Sequence, residues 1–361
     1  MTSAWVLGFA AASEADDGCL GGKCASLARM IRSAAPVPPG FAVTTEAYRA
    51  MLATQGLQAD IDAALRGLPA GDVRQQEQAA QRIAQAFAAR PLPEAVAQAV
   101  AFEYLALCRA EGANHDELPV AVRSSATAED LPDASFAGQQ DTYLWVVGTD
   151  AVLARVRDCW ASLYTGRAIG YRNDRRIAHR DVQMAVGVQK MVDARVAGVA
   201  MTLDPINGDR TRIVIDASWG LGESVVAGEV TPDHFVVDKV MRSIVVRNIS
   251  DKAHEVVADV RAKRTLRRDV DQSRRNAACL NDRQIEAVAT MARQLEKQLG
   301  APQDVEWAIE DHPAHPDGRL MLLQCRPETV WSQRKWVAGA AIDQGLEGLV
   351  ANLLKPVQIH G

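Results

Sequence analysis

The spacing of hydrophobic residues changes along this chain of 361 residues, and that change limits the folds it can adopt. From 47 to 113 apolar residues recur every three or four positions, which is the spacing of amphipathic α-helices. After Lys190 the sequence turns to short β-branched runs, such as 196–203 and 212–217, separated by residues that favour turns. The sequence therefore predicts an α/β (α+β) protein in which a helical segment precedes a second half rich in strands.

Composition and charge exclude several classes of protein. Hydrophobic residues make up 48% of the chain and charged residues 24%, which is ordinary for a soluble globular protein. The formal net charge of −5 leaves no overall basic field that would attract nucleic acid or an anionic membrane. No run approaches the roughly 20 apolar residues that a spanning helix needs, and the N-terminus does not follow the pattern of a signal peptide. We therefore expect a cytoplasmic protein with no nucleic-acid or membrane partner.

A helix with clear start and stop signals is predicted in the last quarter of the chain. Asn281 or Asp282 can cap it, apolar residues recur along one face from Ile285 to Leu299, and Gly300 stands where helices commonly end. Because each signal agrees with the others, we expect a single regular helix here.

Two runs after this helix, 304–310 and 320–326, alternate polar and apolar residues and predict an antiparallel pair of strands. Side chains alternate between the two faces of a strand, so residues two apart share a face. The pairs that share a face by this rule are Asp304 with Glu306 on the first strand and Gln324 with Arg326 on the second. A single register can therefore gather two carboxylates, an amide and a guanidinium.

This group of side chains has the chemistry of a magnesium and phosphate site. Carboxylate and amide oxygens are hard ligands for Mg²⁺, and a neighbouring arginine can bind a phosphate. In-line phosphoryl transfer needs charge neutralisation and alignment rather than a protein nucleophile. The plainer interpretation is an exposed hairpin, which commonly carries the same alternation.

The segment Leu20-Gly21-Gly22-Lys23 is a second candidate for phosphate binding. Adjacent glycines allow an anion to approach the backbone closely, and the lysine supplies a mobile positive charge. It is not a Walker A loop, because Asp17 stands where the first glycine should be and Cys24 replaces the required Ser or Thr. The alternative is a plain turn with a solvated lysine.

Arg123 follows the apolar run 120–122 and begins a segment rich in hydroxyl groups, including Ser124 and Thr127. A guanidinium at a strand end, followed by hydroxyls and a glycine-containing loop, can hold a polyphosphate through charge-assisted hydrogen bonds. The alternative is the start of a helix capped by Ser124 or Ser125.

The segment Gly220-Leu221-Gly222-Glu223 has a similar character, but G-L-G-E-S-V lacks the final glycine of a Rossmann fingerprint. His234, a little further on, can be read as a phosphoryl acceptor or as a structural residue at a strand end. The structural role is favoured.

Together these tracts resemble the N-terminal ATP-grasp domain of the pyruvate phosphate dikinase and phosphoenolpyruvate synthase superfamily, to which rifampicin phosphotransferase also belongs. The tracts that carry the resemblance lie at 20–23, 37–41, 122–132, 136–142, 196–199, 220–223, 304–307 and 324–327. They span about the first 330 residues of the chain.

The resemblance implies an ATP site between two lobes, with Mg²⁺ as a second cofactor. Lys23, Arg123 and Arg326 would contact the phosphates and act in catalysis, and Glu306 with Gln324 would hold the metal. The other nucleotide-binding residues that it implies are Ser124, Thr127, Gly138, Gln139, Gln140, Gln189, Met191, Val192, Glu223 and Asp304. The segment from Gln189 to Val192 would lie against the adenine, and the Gly-Gln-Gln loop would cover the phosphates.

By the same resemblance, an N-terminal lobe spans 1–190 and includes the helical segment 47–113, and a C-terminal lobe spans 191–330. The tail at 331–361 carries apolar residues at near-helical spacing. We interpret it as a docking helix for a partner, and a helix packed on its own lobe fits the pattern equally well.

In that superfamily the phosphoryl group passes from ATP to a histidine on a swivelling domain, and no histidine of this sequence has such a setting. The resemblance therefore implies an ATP-binding subunit whose acceptor histidine belongs to a separate subunit. This arrangement resembles phenylphosphate synthase, which makes phenylphosphate, AMP and phosphate from phenol, ATP and water. The alternatives are a fragment or split form of phosphoenolpyruvate synthase, an antibiotic phosphotransferase, or a nucleotide-sensing module that does not turn over.

Overall fold

Helices and strands are mixed along the chain in the computed structural model, which describes residues 4–69, 71–127, 130–131, 134–135 and 141–331. The helices are α1 Asp17–Arg32, α2 Thr45–Leu52, α3 Leu57–Leu65, α4 Val73–Ala88, α5 Glu94–Ala110, α6 Thr149–Ser162, α7 Gly166–Arg175, α8 Glu223–Val226, α9 Gln272–Arg275 and α10 Asp282–Leu299. The strands are β1 Val6–Gly8, β2 Gly40–Val43, β3 Val120–Ala126, β4 Asp130–Leu131, β5 Ala134–Ser135, β6 Thr142–Val146, β7 Met184–Lys190, β8 Ala194–Met201, β9 Arg212–Trp219, β10 Asp233–Asp238, β11 Ile244–Asn248, β12 His254–Asp259, β13 Arg264–Asp269, β14 Gln303–His312 and β15 His315–Pro327. The expected α+β class is confirmed.

Within the described residues, two large antiparallel sheets organise the strands. The first sheet has the order β1-β2-β7-β3-β6, and the second has the order β11-β10-β9-β8-β14-β15. The chain passes from one sheet to the other in the short connection between β7 and β8. Strands β12 and β13 pair with each other as a separate hairpin, and Val256 of β12 also forms a β-bridge with Gly220.

The helical segment covers the first sheet. Helices α2, α5 and α6 contact its strands. Helix α3 packs on α2, α4 packs on α6, and α7 packs on α4. Tyr48, Tyr104 and Trp160 are among the largest side chains of the core that they share. The pattern of residues 151–171 in the sequence predicts one continuous helix. This prediction is wrong, because the run divides into α6 and α7 where the Thr165 side chain caps α7.

Helix α1 lies between the two sheets. It packs against β3 and β7 of the first sheet and β15 of the second, and Leu20, Cys24 and Leu27 are buried in the core of the second sheet. The alternative of a plain turn at 20–24 is wrong, because these residues belong to a helix that is broken at Gly21. There φ is +68°, and a Cβ atom would lie 2.1 Å from the Ser125 carbonyl oxygen. Only glycine fits this close approach.

Helix α10 confirms the start and stop signals read from the sequence. Asn281 accepts a hydrogen bond from the Gln284 amide at 2.9 Å, and Gly300 ends the helix in the left-handed conformation. The buried face of the helix packs on the second sheet. Although α10 is the longest described helix, neither it nor any other described helix is long and apolar enough to cross a membrane.

Candidate functional site

A cavity of about 430 Å³ opens between the two sheets. Helix α1 and strands β3, β6 and β7 form one wall, and strands β8, β14 and β15 form the other. The predicted site residues that line it are Lys23, Arg123, Gln189, Met191, Val192, Glu223, Glu306, Gln324 and Arg326. The structure therefore gathers side chains from distant parts of the sequence at one place.

The register of β14 and β15 arranges their polar side chains in pairs. Asp304 lies opposite Arg326, and Glu306 lies opposite Gln324. Since residues two apart on a strand point to the same face, the four side chains share one face of the pair, as the alternation predicted. Glu306, Gln324 and Arg326 reach the cavity from it.

Arg123 extends from the first sheet and contacts the second. Its Nη1 donates to the Leu323 carbonyl oxygen at 2.9 Å, and its Nη2 lies 3.3 Å from Glu306 Oε2 and 3.2 Å from Gln324 Oε1. The Arg123 side chain is 16% exposed and that of Glu306 is 27% exposed, so both are largely desolvated. One nitrogen thus holds a carboxylate oxygen and an amide oxygen at the same point of the cavity.

Lys23 reaches the cavity from α1, just after the break in that helix. Its Nζ donates to the Ser124 carbonyl oxygen at 3.0 Å. The hydroxyl of Ser125 holds the break by donating to the Leu20 carbonyl at 2.9 Å and accepting from the Cys24 amide at 3.0 Å. This bridge bonds backbone groups on both sides of the break, where the helix cannot satisfy them itself. It places the lysine charge beside strand β3.

Ser124 and Thr127 lie outside the lining of the cavity. Ser124 Oγ donates to the Asp141 carbonyl at 3.1 Å, and Thr127 Oγ1 donates to the Gln183 carbonyl at 3.3 Å. These hydroxyls therefore hold β3 to neighbouring segments. The alternative of a helix beginning at 124 or 125 is wrong, because β3 continues through Ala126.

Asp304 also lies outside the lining, with its side chain exposed. Surrounding protein atoms nevertheless displace much of its water, and the Glu328 carboxylate lies nearby. Both effects raise the pKa of Asp304 to about 6 against the opposing charge of Arg326. Asp304 therefore changes charge near pH 6 beside a candidate phosphate-binding arginine.

Part of the cavity lining is apolar. Leu221 belongs to a small hydrophobic cluster, and Met191 and Leu323 pack against that cluster. Gln189 also lines the cavity, where it is buried, and its Nε2 donates to the Pro38 carbonyl oxygen at 3.2 Å. An apolar slot with a few fixed polar groups is the usual setting for an aromatic ligand such as a purine base.

Glu306 and Gln324 fit a magnesium ion. Their side-chain oxygens converge on one nitrogen of Arg123, so they are close enough to bind one cation. Mg²⁺ is usually held by one or two carboxylates together with substrate phosphates and water. Among the described residues no cluster of three or more His, Cys, Asp or Glu side chains forms a metal site. The donor set therefore suits a metal that arrives with a phosphorylated ligand.

Several residues of the lining were not predicted from the sequence. Thr142 pairs with Arg123 across strands β3 and β6, and this pairing is the signal that identifies it. Lys190, which belongs to the predicted segment from Gln189 to Val192, also lines the cavity, and its Nζ lies 2.7 Å from Glu111 Oε2. Apolar members such as Leu144 carry no sequence signal that distinguishes them from core residues. Predicted residues 138–140 lie outside the described residues.

His234 does not line the cavity. Its Nδ1 lies 2.8 Å from Asp216 Oδ1, directly opposite on the neighbouring strand β9. This pairing supports the structural role. No histidine of the described residues lines the cavity.

Comparisons with known proteins identify the family of this chain. The family model for the pyruvate phosphate dikinase AMP/ATP-binding domain matches residues 18–344. A phosphoenolpyruvate synthase from Aeropyrum pernix is 41% identical over 345 residues, which cover 89% of this chain and 42% of that protein. The corresponding enzyme from Pseudomonas aeruginosa is 40% identical over 328 residues, covering 87% of this chain and 40% of the relative.

A rifampicin phosphotransferase from a Streptomyces species is 40% identical over 311 residues, which cover 86% of this chain and 34% of that protein. The chain thus spans between 34% and 42% of the length of these relatives. Since the family model matches most of the chain, the protein belongs to the family of pyruvate phosphate dikinase AMP/ATP-binding domains.

Proposed function

We propose that the cavity binds ATP with Mg²⁺, as the nucleotide-binding part of a phosphoenolpyruvate synthase-type dikinase. The observation that carries this proposal is the convergence of charged and amide side chains at one cavity whose lining is also partly apolar; these side chains are Lys23, Arg123, Arg326, Glu306 and Gln324. Three cations and two oxygen ligands suit a magnesium triphosphate, and the apolar part of the lining suits adenine. The nucleotide would lie between two lobes, 1–190 and 191–330.

In this proposal the chain's residues stabilise charge rather than attack the substrate. Lys23, Arg123 and Arg326 neutralise the negative charge on the oxygens of the transferring group, and Glu306 with Gln324 holds the metal. A histidine outside the cavity accepts the group, so an N–P bond to imidazole forms as a P–O bond of ATP breaks. The nucleotide product is AMP when pyrophosphate is transferred and ADP when phosphate is transferred.

The final acceptor is also a proposal. The relatives described above are named phosphoenolpyruvate synthase or rifampicin phosphotransferase. These names support the phosphoenolpyruvate synthase alternative better than phenylphosphate synthase. We therefore propose pyruvate as the acceptor downstream of the histidine.

The test is nucleotide binding followed by group transfer. We expect calorimetry to detect Mg-ATP binding to the wild-type chain and a loss of at least about tenfold in affinity in Lys23→Met, because a charged partner of the phosphates is removed. Lys297→Met, which alters an exposed lysine of α10, is the matched control and should bind as the wild type does. Absence of Mg-ATP binding to the wild type would refute the proposal.

Group transfer is measured with the histidine-bearing remainder of a phosphoenolpyruvate synthase relative added to the chain. We expect ³²P from γ-labelled or β-labelled ATP to appear on a histidine of that partner, and the nucleotide product identifies which group moves. ATP binding without any labelled histidine would instead favour the nucleotide-sensing alternative.

A further inference from the structure

We infer that Arg123 acts as an internal cation that occupies the oxygens of Glu306 and Gln324, so that a divalent metal binds strongly only together with a nucleotide. The inference rests on the proposed function, because it describes how the same site is loaded. It assigns Arg123 a second role, distinct from contact with phosphate.

Arg123 already occupies the position that a metal ion would take. Arg123 Nη2 lies 3.3 Å from Glu306 Oε2 and 3.2 Å from Gln324 Oε1. These are the two side-chain oxygens that suit a magnesium ion. A metal ion on them needs oxygen distances of about 2.0–2.1 Å, which places it in the space of the guanidinium. Overlap and like charge therefore exclude simultaneous binding.

The Arg123 guanidinium is able to leave the oxygens of Glu306 and Gln324. Its distances to the carboxylate and the amide exceed the roughly 2.7–2.9 Å of strong charge-assisted hydrogen bonds. Its Nε is buried and has no hydrogen-bond partner within the part of the chain that the structure describes. A phosphate group offers the paired acceptors that a guanidinium binds most strongly. The 2.9 Å bond from Nη1 to the Leu323 carbonyl oxygen opposes the transfer. Two charge-assisted bonds to a phosphate outweigh this single bond to a neutral carbonyl, so the transfer improves the bonding of Arg123.

The movement of Arg123 links metal binding to nucleotide binding. A nucleotide that draws Arg123 away frees the oxygens of Glu306 and Gln324 for the metal. The metal in turn prevents the guanidinium from returning. Metal and nucleotide are therefore positively coupled, and each raises the affinity of the other by the same factor.

The experiment measures Mn²⁺ binding by electron paramagnetic resonance without any nucleotide. We expect weak binding to the wild type and about tenfold tighter binding to Arg123→Met, within the usual range of coupling between sites. Arg326→Met is the matched control, because it removes a positive charge from the lining of the same cavity and leaves Arg123 in place. Its effect should be much smaller than that of Arg123→Met.

Two further variants locate the site and guard against misfolding. Adding Glu306→Gln to Arg123→Met should abolish the gain, and Arg123→Gln should reproduce it if the methionine variant does not fold. Equal Mn²⁺ affinity in the Arg123 and Arg326 variants would overturn the inference. The proposed function is tested separately, by calorimetry of Mg-ATP binding to the wild type. Failure of the inference and failure of the proposed function therefore appear in different measurements.

Discussion

At Gly21 the absence of a side chain decides whether α1 can approach strand β3. A Cβ atom there would lie 2.1 Å from the Ser125 carbonyl oxygen, and the backbone has φ of +68°. We expect Gly21→Ala to lower the free energy of unfolding by about 2–4 kcal/mol, since both the clash and the strain must be relieved. The measurement is urea denaturation followed by circular dichroism.

Gly18 provides the matched control for this prediction. It lies in the same helix, and an added Cβ would meet nothing within 4 Å. Gly18→Ala should therefore be neutral or stabilising by up to about 1 kcal/mol, because alanine favours the helix. Similar unfolding curves for the two variants would contradict our account of the helix break.

Also at the residue scale, His179 makes the stability of the fold depend on pH. The buried Arg172 donates from Nε to His179 Nδ1 at 2.7 Å, so this nitrogen is unprotonated. Burial and the Arg172 charge lower the pKa of His179 to about 4. Because the pKa in the unfolded chain is about 6.5, unfolding takes up a proton between these values, and stability falls as the pH is lowered from about 6.5 toward 4.

His179→Gln tests this pH dependence. The glutamine oxygen can accept the same hydrogen bond but does not take up a proton. Between pH 7 and pH 5 we expect the wild type to lose about 1 kcal/mol more stability than the variant, a value reduced to allow for the partial exposure of the ring. Urea denaturation at both pH values measures the difference. Parallel losses in the two proteins would exclude His179 as the source.

At the scale of elements, helix α10 depends on the residue that caps its N-terminus. The Asn281 side chain accepts from the Gln284 amide, and the Gln284 side chain accepts from the Asn281 amide, both at 2.9 Å. Asn281→Ala should cost about 1 kcal/mol, because the Gln284 amide loses its acceptor. Thermal unfolding measures the cost, and Gln298→Ala, at an exposed position of the same helix, should change the midpoint little. Equal shifts would show that the cap is not the cause.

Helices and strands could be predicted from the sequence where the residues that indicate them lie close together in the chain. Helix α10 and the strand pair β14–β15 follow from caps and from alternation that a few neighbouring residues carry. Helix α1 was missed because glycines at 21 and 22 favour a turn, and the hydroxyl bridge of Ser125 that holds the helix break comes from about a hundred positions away. The single helix predicted at 151–171 is wrong because Thr165, inside a helical pattern, caps α7 with its hydroxyl group and divides the run into two helices.

At the scale of the whole molecule, the site depends on how the two sheets meet. Arg123 of β3 bonds to Leu323 of β15, and Ser26 of α1 donates to the Cys325 carbonyl at 2.6 Å. These contacts join the walls of the cavity and bring the arginine to the oxygens of the second sheet. No property of the segment around residue 123 specifies that meeting.

The sequence alone determined the type of most elements, the shared face of the acidic and basic side chains on β14 and β15, and the resemblance that named the site residues. These properties reside in short stretches, where periodicity and residue chemistry are sufficient. Only the tertiary structure decided that α1 lies between the sheets, that Thr142 joins the cavity and that Arg123 shares a nitrogen between Glu306 and Gln324. Such contacts arise when surfaces distant in sequence pack together, and packing depends on the shape of both surfaces at once.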